Sequence, residues 1–357
     1  MDRSVLKECG AALVLCLVLG SGLCALAGEG PPSIVTFGAV GDGRTDNTQA
    51  IQQALDSGMK SLLVPAGRFA TGPITMRDGQ RLHGEGAASV LVLNTANRTP
   101  HLLKTASHCR IENLTLTSGD EQIEHSSNEE PALIFIYRQT HVTVKDVRFR
   151  DFPYTGANCR ESDDLMFLDN RLENMNEAMR FRRCRRVNAS GNVIREMKMH
   201  GIEFWGHHRD YPNKKFTVMG CEDLIFTNNY IYRGGGGAIW GTAARRVVIA
   251  NNVIDTAHDI GLDPEWCEDV TIVGNTIRNC ETAGIALFLS CRNVAITGNT
   301  IVIDHHEKGR RDGIWLTPTN KGLFKDDHGH RAIAITGNTI IGKGPKPWEH
   351  PFAAMEP

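Results

Sequence analysis

The sequence predicts an all-β solenoid, a single-stranded right-handed parallel β-helix of about ten coils, capped at its start by a helix. Three observations carry this expectation. A phrase of the form apolar-x-apolar-x-x-Asn-x-apolar recurs, most clearly as VTIVGNTI, VAITGNTI and IAITGNTI. Its asparagines, Asn170, Asn192, Asn229, Asn252, Asn275, Asn299 and Asn338, are separated by 22, 37, 23, 23, 24 and 39 residues. Intervals of 22 to 24 residues give one coil, and the two longer ones read as a coil plus an insertion. Within each copy the apolar residues alternate, as in Val270 and Ile272 or Val294 and Ile296, which is a strand pattern.

The residues between are Gly, Asn, Asp and Thr, good turn formers and poor helix formers. A repeat of this length accommodates about three short strands and three turns. An asparagine at one position of every coil can bond its amide to the next, making a ladder through the turn. Turn preference alone would explain one copy but not seven.

At the start of the chain, Arg3 and Lys7 precede an apolar run, Ala11–Leu19, and Ala25-Leu26-Ala27 offers a cleavage site before Gly28. That is the pattern of a secretory leader over residues 1–27, its apolar run being too short to cross a bilayer. Leu23 before Cys24 is not a lipoprotein context. The β-helix domain then covers residues 28–357, and the protein is expected to be secreted or periplasmic. A 357-residue chain that is 41% hydrophobic supports one large continuous core. A net charge of −2 gives no global case for nucleic acid.

Seven cysteines follow the leader, an odd number that argues against a complete disulfide framework. Cys184, Cys221, Cys267 and Cys291 each stand three residues before the ladder strand. Neighbouring coils are about 4.8 Å apart, which disulfide geometry tolerates, but a column of small inward thiols is the plainer reading. No residues have metal-ligand spacing, and Ca²⁺ is the one cofactor considered, under the lyase reading below.

The segment SIVTFGAVGDGRTDNTQAIQQALD, with LLVPAGRF and RLHGEGAASVL after it, resembles the entry of the pectate-lyase-like superfamily of right-handed β-helices. Rhamnogalacturonase-like and polygalacturonase-related proteins and the N-terminal parts of mannuronan C5-epimerases are of this kind. Asp46 with Gln49 reads as a capping box for a helix near Asn47–Asp56 that carries Ile51, Ala54 and Leu55 and plugs the solenoid. Asp42 and Asp46 are read as loop and cap residues, not acids for catalysis. Insertions are expected near 118–131, 205–221 and 305–331, bordering one face. The first carries Asp120, Glu121, Glu124, Glu129 and Glu130.

Each coil has a second strand, usually small-Ile-x-apolar: AMRFRR, GIEFWG, AIWGT, DIGLDPE, GIALFL and GIWLTP. Alternation sends Met179, Ile202, Ile239, Ile260, Ile285 and Ile314 inward and the residues between them outward, into columns. One column reads Phe135, Asn158, Arg180, Glu203, Trp240, Gly261, Ala286, Trp315. Its neighbour reads Tyr137, Arg160, Arg182, Trp205, Thr242, Asp263, Phe288, Thr317. An edge column holds Glu177, His200, His258 and Asp312. Aromatic faces suit sugar rings, and arginine forks suit carboxylate or sulfate groups. Cross-strand ion pairs such as Arg182 with Glu203 also occur on idle sheets.

Three reactions fit such a groove. Hydrolysis needs two carboxyls about 6.5–9.5 Å apart for inversion, and Glu203 and Asp263, expected about 12 Å apart at Cα, are the pair, with Glu265 and Asp312 in reserve. The polygalacturonase motifs are absent. β-Elimination needs a base and a cation that neutralises a uronate carboxylate, Ca²⁺ or arginine. Arg160, Arg180, Arg182, His200 and Glu203 would supply it, and Ca²⁺ enters only under this reading. C5-epimerisation uses similar groups, but Ile260 and Glu265 replace the aromatic and histidine of the epimerase motif. A non-catalytic glycan-binding solenoid is the alternative from another class.

The expectation is a secreted enzyme that cleaves an acidic, uronate-containing polysaccharide, with hydrolysis ahead of elimination. Glu203, Asp263, His200, His258 and Arg182 are the catalytic candidates. Tyr137, Arg160, Arg180, Trp205, Trp240, Glu265, Phe288, Asp312 and Trp315 are the substrate-binding ones. The partner is a polysaccharide met by a monomer, with no nucleic acid and no membrane span.

Overall fold

The structure, a computed structural model, describes residues 32–94, 101–118, 130–206, 220–304, 312–317, 319, 328–343 and 352–354. The leader expected over residues 1–27 and most of each expected insertion lie outside the described residues.

Every strand pairing is parallel, and each coil contributes to three stacked sheets. Among the described residues sheet 1 has eleven strands, from Ser61–Val64 to Arg331–Thr336, and its last seven are the strands that precede the ladder asparagines. Sheet 2 holds those that follow them, such as Val253–Ala257 and Thr276–Cys280. Sheet 3 includes Ala132–Tyr137, Ile202–Trp205, Ile239–Thr242, Ile260–Glu265, Ala283–Leu287 and Asp312–Leu316. The two long strands Arg148–Arg160 and Arg171–Arg182 run from sheet 2 into sheet 3. Among the described residues no helix is long and apolar enough to cross a membrane.

The asparagines form one unbroken ladder. From Asn170 to Asn299, each donates from backbone N and from Nδ2 to Oδ1 of the next, at 2.9–3.0 Å. Each Nδ2 also donates to a carbonyl of the preceding coil, for instance Asn252 to Phe226 at 2.9 Å. The residue before each ladder asparagine (Asp169, Gly191, Asn228, Asn251, Gly274, Gly298 or Gly337) is left-handed. Gly, Asn and Asp tolerate that conformation best, which explains the Gly-Asn and Asn-Asn pairs of the repeat.

Inside, one continuous core runs the length of the solenoid. Phe167 meets Phe181 edge-on at 5.4 Å, and Phe226 stacks on Phe204 at 5.6 Å. Each such ring contributes about 1.5–3 kcal/mol on burial. All seven described cysteines are buried free thiols, and Cys267 N donates to Cys291 Sγ at 3.5 Å. On the outer edge of sheet 1, Asp163, Arg185, Glu222, Arg245, Glu268 and Arg292 stack with alternating sign. Ion pairs of 2.6–2.9 Å link Arg185 to Asp163, Arg245 to Glu222 and Arg292 to Glu268. Like charges at these positions would repel, so the alternation reinforces coil register.

The helix at the open end spans Thr48–Asp56 and buries Ile51, Ala54 and Leu55. Its cap differs from the expected box: Asn47, not Asp46, is the cap residue. The Asn47 amide instead bridges the turn, accepting from Val40 N at 2.6 Å and donating to Thr45 O at 2.8 Å and Ala70 O at 3.1 Å. Asp46 Oδ1 accepts from Thr48 N at 3.0 Å. Asp42 is exposed and accepts from Arg44 N and Thr45 N, both at 2.8 Å, which lowers its pKa to about 2. Asp42 was expected in a loop; it instead opens the strand Asp42–Asp46 and pairs with Arg68.

Candidate active site

Sheet 3 assembles the outward columns by its register. Phe135, Asn158, Arg180, Glu203 and Trp240 are successive neighbours. The next is Asp263, not Gly261, because Ile239 pairs with Leu262 and Trp240 with Asp263. The neighbouring column is Tyr137, Arg160, Arg182, Trp205, Thr242, Glu265 and Phe288. The expected register for DIGLDPE is therefore displaced by two residues. Side-chain alternation has period two, so a two-residue slip leaves Asp263 and Glu265 outward and alternation cannot detect it. Ile260, however, was expected inward, and Leu262 takes that place while Ile260 packs with Ala283, Ala286, Phe288 and Trp315. Gly261 belongs with Gly201, Ala238 and Gly284, where a Cβ would lie 2.5 Å from Gly284 O and 2.8 Å from Ile277. The small-then-apolar pair Gly261-Leu262, which matches Gly201-Ile202 and Gly284-Ile285, was the sequence signal for the observed register.

The correction changes distances. Glu203 and Asp263 share one column two coils apart, about 9.6 Å at Cα, with Trp240 between them. Asp263 and Glu265 lie on one strand and one face, about 6.6 Å apart at Cα from the rise per residue. The groove floor is also less exposed than alternation implies: Asn158, Arg180, Glu203 and Asp263 are buried, and Trp240 and Trp315 are half-buried.

Two clusters emerge. At the first, Arg180 is the hub. Its Nε donates to Glu203 Oε2 at 2.9 Å, and its Nη atoms pair with Glu177 and Glu130. Arg182 Nη2 donates to Glu130 Oε1 at 3.1 Å, and Arg160 Nη2 to Glu130 Oε2 at 3.2 Å. Burial opposes the charge on Arg180, but Glu203, Glu177 and Glu130 outweigh it and raise its pKa. Burial also works against Glu130, yet Arg180, Arg182 and Arg160 together hold its carboxyl below the ordinary range. Glu177 is pushed up to about 8, first by burial and then by Glu203. Glu203 is thereby a partner of two arginines, Arg182 Nε being 3.9 Å from its Oε1, and not an open carboxylate facing the groove. His200 lies beside Glu177 and stacks on Trp240 at 4.9 Å. Its Nδ1 accepts from Gly237 N at 3.0 Å, and burial lowers its pKa.

At the second cluster, Trp240 Nε1 donates to Glu265 Oε1 at 3.1 Å. Asp263 is raised well above the carboxylate range by burial, then by Glu265 and Asp259. Burial raises Glu265 to about 7 against the pull of the Trp240 hydrogen bond. Asp263 Oδ1 is buried without a hydrogen-bond partner among the described residues. Aromatic rings line both sides, Trp205 at 5.4 Å from Trp240 and Phe288 edge-on to Trp315 at 4.9 Å. Among the described residues, no three His, Cys, Asp or Glu side chains are grouped to hold a metal ion.

His258 does not join the edge column; it stands exposed on the turn before Ile260, its Nδ1 3.1 Å from Glu281. The two-residue slip again accounts for the difference. Asp312 is buried and pairs with Ala283, in line with Ile260. Tyr137 lies at the groove's early end beneath Arg138, 4.9 Å from ring to guanidinium. Glu130 was the residue that sequence reasoning placed only in an acidic insertion. It meets Arg180 across 50 residues of chain, and nothing periodic marks it.

A family model described as a right-handed beta helix region matches residues 211–340. The chain is a right-handed parallel β-helix. No curated protein sequence matches it. Similar β-helices include an exopolygalacturonase from Thermotoga maritima, 15% identical over 88% of this chain and 91% of that one, with a TM-score of 0.61. The surface protein and adhesin PfbA of Streptococcus pneumoniae is 14% identical over 88% and 99%, with a TM-score of 0.65. DFA-IIIase from Arthrobacter chlorophenolicus A6, without its lid, is 12% identical over 87% and 89%, also at 0.65. At these identities the likeness is one of fold, and the β-helix hosts an adhesin as readily as an enzyme.

Proposed function

We propose that the sheet 3 groove binds an acidic polysaccharide and hydrolyses its glycosidic bonds, with Asp263 as general acid and Glu265 as general base. The observation that carries this reading is the Asp263–Glu265 pair, one buried and one half-buried carboxyl of unequal hydrogen bonding beside aromatic rings. Pairs whose environments push their pKa values apart mark acid and base roles. Burial favours the protonated form of Asp263, the form a general acid needs, and its Oδ1 has no hydrogen-bond partner among the described residues. Glu265, raised by burial to about 7, accepts from Trp240 Nε1, a hydrogen bond that favours its ionised form. The backbone spacing of about 6.6 Å suits carboxyls at the lower edge of the inverting range, about 6.5 Å. Glu203, the sequence's first choice with Asp263, becomes a partner of the arginine cluster.

Elimination is the weaker reading. With Nδ1 of His200 accepting from Gly237 N, the neutral ring carries its proton on Nε2 and offers a donor, not a base. The exopolygalacturonase likeness supports a glycan substrate by fold alone. Export through the leader at residues 1–27 is part of the proposal and is checked by the N-terminal sequence of the secreted protein. The functional test is a panel of acidic polysaccharides assayed for new reducing ends and for the ultraviolet absorbance of an unsaturated product. Reducing ends without absorbance are expected. Absorbance would mean elimination, and neither signal would leave a glycan-binding solenoid.

A further inference from the structure

Three guanidinium groups, from Arg160, Arg180 and Arg182, converge on the carboxylate of Glu130. We infer that these arginines form a carboxylate-binding subsite which Glu130 fills as an internal ligand, and that a uronate carboxylate of the incoming chain displaces it. The inference rests on the reading of the substrate as an acidic polysaccharide.

The three carboxylates around Arg180 are not equivalent. Glu177 and Glu203 are strand residues whose side chains are 3% and 4% exposed, so they are fixed partners of Arg180. The Glu130 side chain is 42% exposed and precedes the strand Ala132–Tyr137. A buried charge left unpaired is costly, and exchange of one carboxylate for another leaves no guanidinium unpaired. Arginine forks bind carboxylates of either origin by the same charge-assisted hydrogen bonds. Rings flank the position: the Arg160 guanidinium lies 5.7 Å from the Phe135 ring and that of Arg182 lies 6.0 Å from Trp205. A sugar whose carboxylate replaced that of Glu130 would therefore have an aromatic face beside it. A neutral sugar has nothing to exchange.

Occupation by Glu130 weakens apparent affinity by the fraction of protein in which the subsite is open. Calorimetric titration of the full chain with sodium D-galacturonate and sodium D-glucuronate, with D-galactose and sodium sulfate as controls, reads that fraction. Glu130→Gln is expected to tighten uronate binding about tenfold, corresponding to roughly nine-tenths occupancy in the native protein. Galactose should be unaffected, and adding Arg182→Ala should abolish the gain. Unchanged, weaker or unmeasurable uronate binding by folded Glu130→Gln overturns the inference, as does sulfate binding as tightly as the uronates. If Glu130→Gln does not fold, Glu130→Asp, which keeps the charge but reaches less far, should give a smaller tightening; none would overturn the inference. Binding is read without turnover. Tightening in a protein that leaves polysaccharides intact would remove the hydrolytic reading alone, and hydrolysis without tightening would remove this one alone.

Discussion

Trp240 donates its indole N–H to Glu265 at 3.1 Å, while its neighbours in the column are Glu203 on one side and Asp263 on the other. One side chain thus separates the arginine cluster from the carboxyl pair and supports the charge of the second. Trp240→Phe keeps a ring and removes the donor. Because that hydrogen bond lowers the Glu265 pKa from where burial alone would set it, its loss should move the acid limb of the kcat/KM profile above pH 7. An unmoved limb would show that Glu265 is not the base.

Asp263→Asn and Glu265→Gln should each lower kcat by about 10²–10⁴-fold without lowering Tm, since each relieves a crowded pair of carboxyls. Glu203→Gln, by contrast, should act mainly on KM through Arg180 and Arg182. Steady-state kinetics on the same polysaccharide separates the cases. A larger kcat loss from Glu203→Gln than from Asp263→Asn would return the acid–base role to the column pair.

The contribution of Glu177 to stability should fall as pH rises from about 4.5 to about 8. Glu177 has a folded pKa of about 8 against an ordinary 4.5, so in that window the folded chain holds a proton that the unfolded chain has released. Its contribution is complete below 4.5 and is lost as pH approaches 8; Asp263 and Glu265 act in the same direction. Carboxyls held low, such as Glu222, act only at lower pH. Glu177→Gln, neutral throughout, should flatten the dependence of Tm on pH, and an unchanged slope would exclude Glu177 as its source.

Asn252→Ala should cost about 3 kcal/mol or more, because it strands several buried groups at about 1–3 kcal/mol each. Asn229 N and Nδ2 lose their acceptor, while Phe226 O and Asn275 Oδ1 lose a donor. Asn338→Ala, at the half-buried last rung, should cost less. Denaturant unfolding of the two variants measures the difference, and equal costs would mean that the ladder does not act through burial.

The solenoid was legible because its cause is local and repeated. A left-handed residue followed by asparagine sets each turn, and alternation sends Val270 and Ile272 inward whatever lies in the next coil. The seven-fold asparagine phase therefore determined the stacking, and with it the columns of sheet 3 as far as Trp240. Two things were not decided by alternation and the asparagine phase. The register of Ile260–Glu265 rests on Gly261 meeting Gly284, a contact between coils that no period-two pattern within one strand can encode. The seat of Glu130 among three arginines closes 50 residues of chain and follows no repeat. Repetition carries backbone phase from coil to coil, but the charge balance of a buried cluster depends on every group that reaches it, including one from outside the repeat.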